Sequence, residues 1–453
     1  MNATSTINFR EALRFWFKLG FISFGGPAGQ IAIMHRELVE NKRWISDRRF
    51  MHALNYCMVL PGPEAQQLAT YIGWLMHGTW GGIVAGGLFV LPSLFILIAL
   101  TWVYMAFGSI PLVAGMLYGI KPAVTAIVLA AAWRIGSRAL GNALLWAVAC
   151  AAFVAIFAFN VPFPAIIAAA ALIGAFAGRI NPGLFAGGGG HGASGKMVED
   201  AIIGDATPTP PHARFRASRL ASVILIGLAL GGGVLGALTY WSGWDSALTQ
   251  MGWFFTKAAL LTFGGAYAVL PYVYQGAVDH YHWLTAAQMI DGLALGETTP
   301  GPLIMVVAFA GFVGGWTDTA RMVSGAFLSG PAIVLMAMAG ACVATFFTFL
   351  PSFVFILAGG PLVEATHGEI RLTAPLTCIT AAVVGVVVNL ALFFAWKVLW
   401  PGGTNALPFA GAFEWFSAIT GVAAFVALTR YKANVMWVIA ACAALGAVKT
   451  MAG

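Results

Sequence analysis

Charge is what this chain has least of. Of its 453 residues only 9% are Asp, Glu, Lys or Arg, while 60% are hydrophobic, and the mean hydropathy is +0.87. A soluble domain carries about 25% charged residues, and a soluble protein this apolar could not cover its own surface. The bilayer must be the solvent for most of the chain. Cysteine is also scarce. The five cysteines, Cys57, Cys150, Cys342, Cys378 and Cys442, include no Cys-x-x-Cys pair. Nearly all lie in apolar runs, so they read as buried, inert thiols rather than disulfides or metal ligands. No His/Cys/carboxylate cluster has metal spacing. There is no phosphate-cradling Walker loop and no Gly-x-Ser-x-Gly elbow. The sequence therefore offers no grounds for an enzyme, a metal site or a cofactor. The net charge of +7 lies in no basic stretch interleaved with aromatics, so nucleic acid is not indicated. Lys and Arg of cytoplasmic loops account for it. The N-terminus MNATSTINFREALRFW lacks a short apolar core followed by a small-residue cleavage site, so the first membrane segment is expected to serve as its own targeting signal.

What the chain does have is apolar length. A spanning helix needs about 20 apolar residues. Runs at 81–107, 112–133, 143–160, 161–178, 220–241, 322–349, 372–396, 408–428 and 433–449 qualify or nearly so. With interrupted segments added, ten to thirteen membrane segments are expected in an all-α polytopic protein.

The chain also repeats. Residues 15–63 align without gaps onto 254–302 at a constant offset of 239. Phe24-Gly25-Gly26 falls on Phe263-Gly264-Gly265, Trp44 on Trp283, and Pro61-Gly62-Pro63 on Pro300-Gly301-Pro302. These identities sit on Gly, Pro, Trp and Lys rather than on Leu and Ala, which chance matching of apolar helices would favour. The expected organisation is an N-terminal repeat over 1–178, a flexible cytoplasmic linker over 179–219 and a C-terminal repeat over 220–453. The linker contains Gly187 to Gly190 and the run Thr207 to Pro211. The loop 35–49 holds Arg36, Lys42, Arg43, Arg48 and Arg49, whereas its counterpart 274–288 has no Lys or Arg. By the positive-inside rule the first faces the cytoplasm and the second the outside. The repeats would then be inverted, an arrangement that places a transport site near the midplane between them. Parallel repeats, with the second loop having lost its charges, are the alternative.

Each repeat is broken twice at matched positions. Proline removes a backbone donor and clashes with the preceding turn, and glycine admits dihedrals that other residues avoid. The Phe-Gly-Gly and Pro-Gly-Pro sequences thus read as discontinuous helices or re-entrant hairpins. For residues 11–40, basic residues at both ends fit a hairpin entering and leaving on one side, and a single span is the competing reading. Non-helical backbone at membrane depth is tolerated only inside protein or along a hydrated cavity. Half-helices starting there turn free N–H groups and a positive dipole end toward that cavity, which suits an oxyanion. Gly25, Gly26, Pro61, Gly62, Pro63, Gly264, Gly265, Pro300, Gly301 and Pro302 are the candidate backbone of such a site. Gly and Pro kinking helices for packing is the plainer alternative.

Several side chains flank these breaks. Lys18 and Lys257 stand at equivalent positions, and each either faces the site or snorkels to the headgroups. Glu64 and Glu297 could couple anion movement to protons, since a carboxylate beside an anion site repels its ligand unless protonated. Glu64 equally suits a helix-capping role in a first turn. Gln66, Gln67, Thr70, Thr298 and Thr299 could supply neutral donors or simply hydrogen-bond between helices, and Gln66 and Thr70 share a face. His52 and His77 read as packing or interface residues.

In FGGPAGQIAIMHRELVENKRWISDRRF (24–50), LPGPEAQQLATYIGW (60–74), FVLPS (89–93), LTFGGAYAVLP (261–271) and MIDGLALGETTPGPLIMVVAFAGFVGGW (289–316), the chain resembles the chromate ion transporter family. The resemblance covers both halves. It implies a secondary transporter of the bacterial inner membrane that exports chromate and confers resistance to it, with sulfate as a related cargo, or as the substrate of uptake or exchange. It also implies that the four glycine-rich breaks are signature positions. Two departures bear on selectivity: Gln30 stands where the family commonly has His, and Met58 where it commonly has Gln. Sequence leaves the direction, the coupling ion and the assembly open, a homodimer included.

Overall fold

The computed structural model describes residues 7–24, 26–185, 201–205, 207–208, 210–263, 265–323, 330–366, 373–403 and 407–452. Among these residues the regular structure is helical, apart from one isolated bridge between Ile45 and Ile203. The helices are α1 (Phe9–Ile22), α2 (Gly26–His35), α3 (Asp47–Val59), α4 (Glu64–Phe107), α5 (Pro111–Ala139), α6 (Ala143–Phe159), α7 (Phe163–Ile180), α8 (Ala217–Ser242), α9 (Ala247–Leu260), α10 (Ala266–Tyr274), α11 (Ala286–Thr298), α12 (Val306–Val323), α13 (Gly330–Thr366), α14 (Thr373–Leu399), α15 (Trp415–Thr429) and α16 (Val435–Ala452). Eight helical segments of the described residues are long and apolar enough to cross a membrane, and α6 and α15 are shorter apolar helices. The chain is a multi-pass membrane protein. α8 makes the reason plain: it buries none of its residues, and Leu225, Ile226 and Leu228 are 65%, 66% and 68% exposed. Water could not solvate that surface, whereas lipid can. Of the cysteines, Cys57, Cys378 and Cys442 are buried, but Cys150 and Cys342 lie on exposed helix faces. Apolar runs in a membrane protein serve lipid-facing surfaces as well as cores, so burial cannot be read from hydropathy alone.

The repeat is copied in the backbone. α3 and α11 begin and end at the same offset of 239, as do two π-helical turns, Arg36–Asn41 and Gln275–His280. Arg43 and His282, again equivalent, share a left-handed φ of 52° and 53°. Ser46 and Thr285 each accept the backbone N–H three residues on, capping α3 and α11. Hence RELVEN and QGAVDH, which have almost nothing in common as side chains, adopt one shape.

α1 and α2 form a hairpin whose two outer ends lie together. At 14 residues α1 is roughly 21 Å long, short of the ~30 Å hydrocarbon core. Lys42, beyond α2, pairs with Glu11 near the start of α1 at 3.0 Å. α3 and the first half of α4 make a second hairpin. Inside α4, His77 and Gly78 leave helical geometry, Gly78 with φ 67°, and residues 64–76 fold back along 79–107. Glycines make this close packing possible: a Cβ on Gly81 would lie 2.2 Å from the carbonyl oxygen of Gly73. Gly311 and Gly340 repeat the device where α12 meets α13. His77 Nε2 lies 2.9 Å from the carbonyl of Ile7, so the outer ends of both hairpins share one side.

The stretch read from sequence as a flexible linker begins inside α7 and ends inside α8, and much of it is docked. Ile203 bridges to Ile45, Ser46 Oγ donates to Asp205 at 2.6 Å, and Arg49 Nη2 donates to the Thr207 carbonyl at 2.6 Å. His212 Nε2 meets the Trp74 carbonyl at 3.0 Å. The kink at 77–78 takes that carbonyl out of the helical ladder, and the strap satisfies it. Gly187 to Gly190 lie outside the described residues.

Candidate functional site

The breaks of the two repeats meet. The N–H of Gly62 donates to the carbonyl of Thr262 at 2.7 Å, and the N–H of Gly301 donates to the carbonyl of Ser23 at 2.8 Å. These are the same bond made twice, since Ser23 and Thr262, like Gly62 and Gly301, stand 239 apart. Such reciprocal contacts are those of an isologous, two-fold interface. Gly62 (φ 127°) and Gly301 (φ 106°) take dihedrals that favour glycine, and so do Gly26 (φ 69°) and Gly265 (φ 95°). Gly25 and Gly264 lie outside the described residues.

Not every tip amide is bare. Those of Gly62 and Gly301 are engaged in the crossing bonds, so the donors left to a ligand lie one turn further on. α4 starts at Glu64 with Pro63 as an N-cap that offers no side-chain acceptor, leaving the first-turn N–H groups of the helix uncapped. α10 starts at Ala266 behind Gly265, likewise without a side-chain cap. After Pro302 the chain makes a 3-10 turn over Leu303–Met305, in which Met305 N donates to the Pro302 carbonyl at 2.9 Å, before α12 begins.

Polar side chains gather where the tips cross. Gln30, 1% exposed, donates through Nε2 to the Gly301 carbonyl and reaches the Ser23 carbonyl at 3.5 Å, tying both repeats together. Gln67 Nε2 donates to the Pro61 carbonyl at 2.8 Å and to Ser352 Oγ at 3.5 Å. Gln66 Nε2 donates to Thr70 Oγ1 at 2.9 Å, as their shared face implies. Buried and without a hydrogen-bond partner are Ser93 Oγ and the Oε1 atoms of Gln30, Gln66 and Gln67. A hydroxyl can donate or accept, and a half-turn of a carboxamide exchanges oxygen for NH₂, so this cluster holds unspent hydrogen-bonding capacity. Thr299 is buried, with its hydroxyl on the Gly296 carbonyl at 3.1 Å; Thr298 bonds the Leu295 carbonyl at 3.0 Å.

The carboxylates sit on the flanks. Glu64 of the first repeat points toward the second: a Cβ on Gly265 would lie 4.0 Å from its Oε1, beside the start of α10. Glu297 accepts a hydrogen bond from the Tyr267 hydroxyl, with Arg134 of α5 within electrostatic reach. The two lysines stand apart from the cluster. Lys18 is on the exposed face of α1, and Lys257 lies 5.5 Å above the ring of Trp253.

Sequence reasoning missed the serines. Ser93 packs on Gly301, where a Cβ would be 2.7 Å from its Cβ, and Ser352 packs on Gly62, where a Cβ would be 2.3 Å from its Oγ. Each serine belongs to a Leu-Pro-Ser sequence, 91–93 and 350–352, in the helix of the opposite repeat. Their offset is 259, not 239, so the ungapped alignment could not join them. The recurring Leu-Pro-Ser was the available signal.

Two interlocked repeats of broken helices inside a bundle of spanning helices define a membrane transporter of repeat architecture. The chain belongs to the chromate transporter family, whose model matches residues 10–175 and 249–447. The chromate transport protein of Cupriavidus metallidurans is 30% identical over 87% of this chain and 84% of its own. That of Pseudomonas aeruginosa is 34% identical over 82% and 77%. An uncharacterized transporter of Bacillus subtilis is 30% identical over 131 residues, 29% of this chain but 73% of its own, the span of about one repeat. No solved structure matches the chain.

Proposed function

We propose that this chain is a secondary active transporter that exports chromate across a bacterial inner membrane and thereby confers chromate resistance. The observation that carries the reading is the reciprocal pair of bonds from Gly62 to Thr262 and from Gly301 to Ser23. It brings four helix breaks to one locus, where uncapped helix starts favour negative charge. The oxyanion is held there by first-turn amides of α4 and α10, with Ser93, Gln30 and Gln67 as neutral donors. Glu64, beside the start of α10, takes the place of the anion when ionised and yields it when protonated, which couples anion movement to protons. Glu297 does the same from its Tyr267 hydrogen bond.

The two repeats are inverted in the membrane. Five helices, α4 from residue 79, α5, α6, α7 and α8, lie between the first pair of hairpins and the second, and an odd number of crossings reverses the side of entry. The docked strap then lies in the cytoplasm beside the basic loop 35–49. Transport proceeds as the hairpin pairs rock about the crossing bonds and open the locus to either side in turn.

Flux into inverted vesicles tests the proposal. Labelled chromate should accumulate saturably, and a protonophore should abolish accumulation. Accumulation of sulfate in its place would make the chain a sulfate carrier. Flux that neither saturates nor responds to the protonophore would make it a channel and refute secondary transport.

A further inference from the structure

A buried ionic cluster lies away from the crossing, where the transport reading assigns nothing. Asp291 sits on α11 and is 3% exposed. Its Oδ2 accepts the Tyr104 hydroxyl of α4 at 3.0 Å, and the Lys121 ammonium of α5 stands 3.8 Å from the same oxygen. Its Oδ1 is buried with no partner. Among the described residues, Lys121 and Tyr104 are the titratable groups acting on this carboxylate.

We propose that Asp291 is a proton-binding site that links the proton gradient to anion movement. This inference rests on the transport reading above and adds to it a residue outside the oxyanion locus. An ionised side chain inside a membrane is costly and persists where it functions or is fully paired. Asp291 is not fully paired: 3.8 Å exceeds hydrogen-bond distance, and one oxygen has nothing. A loosely held pair has a close rival state, in which a proton takes the place of the ammonium and Lys121 turns away. Lys121 is the less confined partner, its side chain 30% exposed while that of Asp291 is 5%. The exchange changes the net charge of the cluster by one proton, from neutral to +1.

The site is wired to the crossing by covalent structure. α11 runs from Asp291 to Thr298, and Thr299 opens the second Pro-Gly-Pro tip. Eight residues of helix span roughly 12 Å, close enough for one charge in a low-dielectric interior to be felt at the anion. The rigid helix also transmits any displacement of Asp291 to the tip. The equivalent position in the first repeat holds another ionisable residue, His52. A purely structural ion pair is the rival explanation, and the two differ in what removal does.

The test compares two fluxes in proteoliposomes holding the purified full chain. One is chromate accumulation driven by an imposed pH gradient. The other is exchange of labelled for unlabelled chromate with no gradient, which needs binding and alternating access but no net proton movement. The proposal expects Asp291→Asn to reduce accumulation to the level of protein-free vesicles while exchange continues. Accumulation at the wild-type rate would overturn it. So would loss of both fluxes from a monodisperse variant, which would make Asp291 structural or part of anion binding. If Asp291→Asn cannot be purified, Tyr104→Phe decides. Removing a hydrogen bond to the ionised carboxylate should move the midpoint of gradient-driven flux against pH upward, and an unchanged midpoint would overturn the proposal. Absence of chromate exchange by the wild-type protein would instead refute the transport reading itself.

Discussion

At the residue scale, the proposed site turns on two glycines that do two jobs. Gly62 and Gly301 need positive φ, and each leaves room for a serine of the other repeat. A non-glycine residue held there costs on the order of 1–3 kcal/mol from backbone strain alone, before the clash with Ser352 or Ser93. Gly62→Val and Gly301→Val are each expected to abolish chromate resistance while the protein still reaches the membrane. Resistance assays with immunoblotting of membranes check this. Gln30→Leu should act more mildly. It removes the side-chain link from the first repeat to the Gly301 carbonyl, but the crossing bonds remain. A loss of about 1–3 kcal/mol, the cost of stranding a buried polar group, should appear as a lower melting temperature of the purified protein.

The glycines and prolines were legible in the sequence because their conformational demands are intrinsic to the residue. What joins them was not. Gln30 reads as a substitution among apolar neighbours, and only the fold shows that it reaches 271 residues along the chain to Gly301. Ser93 and Ser352 were hidden by a change of register between the repeats. The lysines show the reverse limit. An equivalent pair of cations in a membrane protein suggests an anion site, yet exposure on α1 and a ring under Lys257 place both outside the cluster.

At the scale of elements, the hairpins follow from lengths. α1, α2 and α3 are too short to cross a bilayer, and their breaks let them turn back. The fold of α4 at His77 and Gly78 was less visible, because no proline marks it and a histidine beside a glycine can sit inside a membrane helix. The strap over 201–213 was misleading in sequence. Gly, Pro and Thr suggest flexibility, but polar groups of the described residues find partners on the 43–49 loop and on Trp74. His212 makes this docking sensitive to pH. Burial, reinforced by the charge of Arg219, holds its pKa below the ordinary value, so docking favours the neutral ring. The undocked ring takes up a proton more readily, and docking weakens as pH falls through about 6.5. Hydrogen exchange at 201–213, corrected for intrinsic rates, should therefore be slower above that pH than below it. His212→Ala should remove most of the difference, and an unchanged difference would show that another group governs the strap.

At the scale of the whole molecule, the repeats share a backbone but divide the chemistry. Behind the first Pro-Gly-Pro stand Glu64, Gln66, Gln67 and Thr70, whereas the equivalent positions of the second repeat are Leu303, Met305, Val306 and Phe309. Before the tips the pattern reverses: Glu297, Thr298 and Thr299 answer Met58, Val59 and Leu60. On the proposed reading, two-fold geometry with unlike side chains makes one asymmetric site rather than two equal ones. Inversion of the repeats has its own check. Single cysteines introduced as Glu40→Cys and His280→Cys, in a background without native cysteines, should react with an impermeant maleimide from opposite sides of the membrane. Reaction from the same side would mean parallel repeats.

The claim beneath all of this is that both pairs of helix breaks build a single oxyanion site. Calorimetric titration of chromate into the purified protein addresses it directly. One chromate should bind per chain, and binding should vanish in Gly62→Val and equally in Gly301→Val, though these glycines belong to different repeats. Two chromates per chain, or undiminished binding in either variant, would contradict it.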